Sequence, residues 1–93
     1  MAKPKSDPDL KRATGKRLVA TREATDKNQI EAAKAFGVEA GTLSMWETGE
    51  RLIGQSDAIR FCEKFDVTLD WIYRGDASGL KHSLALLLQQ RAS

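Results

Sequence analysis

The sequence predicts an all-α protein: a compact five-helix domain followed by a C-terminal helix. Apolar residues in every strongly patterned segment recur at three- and four-residue spacing, and no segment alternates as a strand does. Glycines and capping residues separate these segments, as they do at helix ends. The 93 residues, 41% apolar and 30% charged, suit one globular core and exclude a disordered chain.

The first helix is predicted over residues 7–24, after a flexible basic arm at residues 1–6. Asp7 offers a carboxylate N-cap, and Pro8 fits the first helical position, where its missing N–H has no consequence. The residues expected on the inward face are Leu10, Ala13, Thr14, Leu18 and Thr21. The basic residues off that face are Lys11, Arg12, Lys16 and Arg17.

Two short helices are predicted next. Asn28, followed three residues later by Glu31, has the capping-box spacing that starts a helix, and Gly37 ends it. The third helix covers about residues 40–48 and ends at Gly49. Small alanines let the two helices approach closely, so the pair has the outline of a helix-turn-helix. That outline alone occurs in many all-α domains.

The remaining helices are predicted at residues 55–65, after Thr68, and from Leu80 onwards. In the first of these the residues expected to point inward are Ala58, Ile59, Cys62 and Phe65. The compact domain then spans residues 7–75, and residues 76–93 form a C-terminal helix, a candidate dimerisation element. Its stripe consists of Leu80, Leu84, Leu87 and Leu88. The stripe packs either on its own domain or on a second chain.

Charge is unevenly distributed along the chain. Residues 1–22 carry seven basic and two acidic side chains, a local +5, and the rest carries eight and eleven, a local −3. Such a basic front end either attracts phosphate or only solubilises the chain.

Residue types needed for most catalytic sites are missing or isolated. Cys62 is the single cysteine and His82 the single histidine, so neither a zinc site nor a nucleophile–histidine pair is indicated. We expect Cys62 to be a buried thiol, and we expect no enzyme activity, metal, cofactor or small-molecule ligand. No apolar run reaches the roughly 18 residues of a membrane span. We therefore expect a cytoplasmic protein without a membrane partner.

A wider pattern joins these segments. Its residues, which follow one another at fixed spacing, are Gly15, Arg17, Leu18, Arg22, Asn28, Gln29, Ala33, Gly37, Val38, Leu43, Ser44, Trp46, Glu47 and Gly49. Through these residues, matched without gaps, the chain resembles the Cro/C1-type, or XRE-type, helix-turn-helix family from about Lys11 to Gly75. The resemblance implies a lambda-repressor-like fold and a transcriptional regulator, commonly a repressor. It also implies double-stranded DNA as partner and a homodimer.

The same resemblance assigns site residues. The reading-helix positions that face the DNA groove are Glu39, Ala40, Gly41, Thr42, Ser44 and Met45. The positions implied to bind phosphate are Lys16, Arg17, Asn28, Gln29, Thr48 and Arg51. Arg22 and Glu47 match an Arg–Glu pair that ties the first helix to the end of the reading helix.

The chain departs from the family where bases are read. None of the groove-facing residues is Arg, Lys, Gln or Asn, the usual donors to guanine and adenine. We therefore expect sparse direct base reading, with reliance on DNA shape and phosphate contacts. The alternative is a protein-interaction module or antitoxin-like partner on the same scaffold. A family proline is also absent from the loop after Gly49, where Ile53 stands. We expect that loop to be less rigid.

Overall fold

The computed structural model describes residues 7–92. The helices are α1 (Asp7–Ala24), α2 (Gln29–Phe36), α3 (Ala40–Thr48), α4 (Gln55–Phe65) and α5 (His82–Ala92), with a π-helical turn at Asp70–Arg74 before the last. No residue from 7 to 92 lies in a strand, so the predicted all-α fold is confirmed. The basic arm predicted at residues 1–6 lies outside the described residues.

Local capping sets both limits of α2 and the end of α3, as predicted. The Glu31 N–H donates to Asn28 Oδ1 at 2.8 Å, and the Asn28 N–H donates to Glu31 Oε1 at 2.9 Å, which completes the capping box. Gly37 and Gly49 end the two helices with φ of 85° and 86°, a conformation that side chains with a Cβ disfavour. These caps fix the length of the turn that separates α2 from α3.

Helix α1 is the centre of the fold, because α3, α5 and the π-helical turn all pack against it. Its Leu18 is fully buried with Leu43 of α3 and Phe61 of α4. Trp71 of the π-helical turn is buried, and its Nε1–H donates to Thr21 Oγ1 at 3.1 Å. Trp46 is buried as well, which confirms that both tryptophans are packing residues.

Two residues predicted to point inward are instead exposed. Leu10 is exposed because it precedes the point at which Gly49, the C-cap of α3, meets α1 at Lys11 and Arg12. Ile59 is exposed because the buried face of α4 centres on Phe61, which the prediction omitted. Phe61 packs edge-on against Phe36 at 5.4 Å between ring centroids, and this contact orients α4.

Helix α5 packs on α1 of its own chain. Leu88 is completely buried, and Leu80 and Leu84 pack partly against the same core. The structure therefore uses most of the predicted leucine stripe within the domain. Leu86 and Leu87 keep 50% and 37% of their surface exposed.

Candidate nucleic-acid interface

The orientation of α3 follows from its buried residues Leu43, Trp46 and Glu47. Successive residues of an α-helix are rotated by about 100°, so the face opposite these three carries Gly41, Met45 and Thr48. We call these three residues the outward stripe. Gly41 and Thr48 are exposed and Met45 is partly buried. The stripe is short, nearly uncharged and open to solvent.

A network of three side chains connects α3 to the two preceding helices. Arg22 of α1 donates from Nε to Glu47 Oε2 at 2.8 Å and from Nη2 to Glu47 Oε1 at 3.1 Å. Gln29 of α2 donates from Nε2 to Glu47 Oε1 at 2.8 Å. The structure thus brings together the Arg22 and Glu47 pair in bidentate geometry and adds Gln29 to it. We call this set the brace.

The brace is shielded from solvent. The Glu47 side chain is only 3% exposed and that of Arg22 14%. The hydrogen bonds and charge of Glu47 raise the pKa of Arg22. Arg22 also donates from Nη1 to the Lys27 carbonyl at 3.1 Å, which holds the chain leading into α2. The sequence did not indicate this last contact, because a backbone acceptor carries no residue-type signal.

A close crossing of α1 and α3 lies beside the brace. A Cβ at Gly15 would stand 2.5 Å from the Glu47 carbonyl oxygen and 2.6 Å from that of Trp46. Only a glycine at this position lets the two helix backbones approach so closely. The crossing fixes the distance of α3 from α1, and the brace fixes its rotation.

The reading positions are small and weakly polar. Thr42 and Ser44 are partly buried on either side of the outward stripe, whereas Ala40 is partly buried against the core. Glu39 is the exposed N-cap of α3, and its side chain makes no capping hydrogen bond. Helix α3 contains no basic residue in its last turn, and its first turn contains no acidic one.

Four of the six predicted phosphate-binding residues lie at the start of α2 or at the end of α3. Asn28 and Gln29 lie at the start of α2; Asn28 Oδ1 accepts the capping hydrogen bond, and Gln29 Nε2 has one hydrogen directed at Glu47. Thr48 and Arg51 lie at the end of α3 and just beyond it, both exposed. No carboxylate among the described residues forms an ion pair with Arg51. Because Gln29 contacts Glu47, the start of α2 lies near the C-terminal end of α3, the same end at which Thr48 and Arg51 lie.

Arg17 and Lys16 are placed differently. Arg17 Nη1 donates to the Ile72 carbonyl at 3.1 Å, and its guanidinium lies against Gly75. Burial lowers the pKa of Arg17. Since Gly15 faces α3, a residue two positions later is rotated by about 200° and faces away from α3. This placement favours bracing of the π-helical turn over the predicted phosphate contact for Arg17. Lys16 is exposed beside it.

The loop after Gly49 is anchored without the family's proline. Ile53 is buried at 1% exposure, and its carbonyl accepts the Tyr73 hydroxyl hydrogen bond at 2.6 Å. The Arg51 N–H donates to the Met45 carbonyl at 3.2 Å. These contacts hold the loop that carries Arg51. The expectation of a less rigid loop, based on the missing proline, did not include them.

The isolated Cys62 and His82 lie away from the outward stripe. Cys62 on α4 is half-buried, and burial together with Glu63 raises its pKa to about 11. A raised pKa makes the reactive thiolate scarcer than in an ordinary cysteine. His82 is exposed at the start of α5. Within residues 7–92 no group of three potential metal ligands occurs, and no helix has the length and apolarity to cross a membrane.

The turn between α2 and α3, the close crossing with α1 and the brace define a helix-turn-helix unit. The helix-turn-helix family model matches residues 18–72, more than half of the 93-residue chain. The chain belongs to the Cro/C1-type, or XRE, helix-turn-helix family, whose members are DNA-binding regulators. A comparison with curated proteins finds no match to the chain.

Proposed function

We propose that the chain is a transcriptional repressor of the cytoplasm that binds an operator as a homodimer, with α3 in the major groove. The observation that carries this proposal is the outward stripe on α3, held in rotation by the brace. A recognition helix needs a solvent-facing surface and a fixed orientation, because base edges are read at hydrogen-bond and van der Waals distances. Two such helices related by a two-fold axis match two half-sites.

Most of the affinity is proposed to come from phosphate contacts. Asn28 and Gln29 at the start of α2 stand where free helix N–H groups and the positive end of the helix dipole attract a phosphate. Thr48 at the end of α3 and Arg51 just beyond it are exposed near the same site. Lys16 adds long-range attraction from the side of α1.

Binding is expected to weaken steeply as salt rises, with a log–log slope of roughly −0.9 for each phosphate neutralised. Arg51→Ala should reduce that slope by about one unit and weaken all sequences alike. Lys64→Ala is the matched control, because it also removes an exposed positive charge. Lys64 lies near the end of α4, whereas the loop that carries Arg51 precedes the start of α4. Fluorescence anisotropy over a salt series checks both. Equal slopes for wild type and Arg51→Ala contradict the phosphate role of Arg51.

Dimerisation is proposed to use Leu86 and Leu87, the leucines of α5 that the chain itself leaves exposed. Leu86→Glu combined with Leu87→Glu should give a monomer in sedimentation, with little change in melting temperature because neither side chain fills the core. Ser83→Glu, exposed on the same helix, is the control and should stay dimeric. A wild-type chain that sediments as a monomer at high concentration contradicts this proposal.

A protein-interaction module is the second candidate. The specific observation that favours it is the charge around α3, where Glu39 and Glu50 are exposed and the helix itself carries no basic residue. Exposed carboxylates repel phosphates. If no duplex from a random pool binds the wild-type chain at low salt, this function replaces DNA binding.

A further inference from the structure

Gly41 is a glycine that the fold does not require. A Cβ built at this position meets no atom within 4 Å, and its φ is not positive. Gly15 differs, because a Cβ there would collide with two carbonyl oxygens of α3. A glycine inside a helix is less favourable than alanine, so Gly41 weakens α3 without a structural return.

The position of Gly41 indicates what the missing side chain leaves room for. It is the second residue of α3 and the first of the outward stripe. In helix-turn-helix proteins the N-terminal residues of the recognition helix come closest to the base edges. The space beside Gly41 therefore faces the floor of the major groove in the proposed complex.

The neighbours of Gly41 indicate which group fills that space. The exposed carboxylate of Glu39, two residues earlier, makes no capping bond and disfavours a phosphate nearby. Met45, one turn later on the outward stripe, presents a thioether instead of a strong hydrogen-bond donor. The only apolar group exposed in the major groove is the C5-methyl of thymine.

We propose that Gly41 is a specificity-determining residue that lets the first turn of α3 approach a thymine methyl in the operator half-site. The methyl packs against the Gly41 backbone and the Met45 side chain of the same stripe. This proposal rests on the proposed DNA-binding function and goes beyond it, since it names a base and the residue that selects it.

The test combines a protein substitution with a change in the DNA. A duplex is first selected from a random pool by the wild-type full chain, and each half-site thymine is then replaced by uracil, which lacks the methyl. Gly41→Ala should raise the melting temperature by about 2–6 °C, because alanine favours the helix. The same substitution should weaken binding to the thymine duplex by about tenfold, because the alanine methyl would overlap with the thymine methyl.

Binding to the uracil duplex tests whether the alanine methyl and the thymine methyl occupy the same space. At one position, uracil should weaken wild-type binding about fourfold, which corresponds to one buried methyl group. The Gly41→Ala chain and the wild type should bind the uracil duplex equally tightly, because the alanine methyl occupies the space that the thymine methyl has left. Ser83→Ala is the matched control at the second residue of α5, and it should leave binding to both duplexes unchanged.

Four outcomes overturn the proposal. Three concern the Gly41→Ala chain: it binds the thymine duplex as tightly as the wild type, it loses the same affinity on both duplexes, or it has a lower melting temperature. The fourth is a selected half-site that contains no thymine. In each of these the wild type still binds DNA, so the proposed function stands. A wild-type chain that binds no duplex at low salt removes both the function and the role of Gly41.

Discussion

Replacing Gly15 by alanine is expected to lower the free energy of unfolding by about 2–3 kcal/mol, as overpacking of a close contact does. The new Cβ would stand 2.5 and 2.6 Å from two carbonyl oxygens of α3, well inside van der Waals contact. Neither oxygen can rotate away, because both belong to the helix backbone. Helices α1 and α3 must separate, and the packing of Leu18 against the core loosens with them. The melting temperature should fall by about 10–20 °C.

Gly41→Ala is the control for Gly15→Ala, because it makes the same chemical change in a helix where the space is open. Alanine should stabilise the chain at position 41 and destabilise it at position 15, so the difference isolates the helix crossing from helix propensity. Thermal unfolding followed by circular dichroism measures both. A Gly15→Ala chain that melts at the wild-type temperature shows that the crossing is not as close as described.

Replacing Arg22 by alanine is expected to lower the free energy of unfolding by about 2–3 kcal/mol. In the wild type the carboxylate of Glu47 is only 3% exposed, and the substitution leaves it with Gln29 as its remaining side-chain donor. Removing one partner of a shielded ion pair is more harmful than removing both, because an unpaired charge remains. Denaturant unfolding gives the loss directly.

The double variant Arg22→Met with Glu47→Leu separates an unpaired charge from lost packing. Two apolar side chains of similar volume should recover much of the stability that Arg22→Ala loses. DNA binding should not recover with it, because the apolar pair no longer fixes the rotation of α3 or supports Gln29. A double variant as unstable as Arg22→Ala contradicts this explanation and indicates that the hydrogen bond from Arg22 to the Lys27 carbonyl, which neither variant makes, carries the effect.

The elements of the fold were predictable because their signals are local. The capping box at Asn28 and the glycines at positions 37 and 49 set helix limits that the structure reproduces. The inward faces were less predictable, since Ile59 and Phe61 point to opposite sides of α4 and both are apolar. Only the position of Phe36 on another helix decides between them.

The site was predictable where a side chain pairs with a side chain, and not where it meets the backbone. The family pattern indicates Arg22 with Glu47, because two complementary charges leave a signal in the sequence. It gives no indication that Arg17 meets the Ile72 carbonyl or that Tyr73 holds the Ile53 carbonyl. Any residue offers the same carbonyl, so these contacts become visible only when the chain is folded.

The buried residues of α3 hold the fold and the outward stripe does not, and this separation affects how the sequence can change over evolutionary time. Glu47 joins three helices, and Leu43 and Trp46 fill the interior, whereas Gly41, Met45 and Thr48 touch little of the chain. Substitutions on the outward stripe therefore escape most of the selection for folding. A lineage can exchange one operator for another by drifting along these positions while the scaffold stays the same.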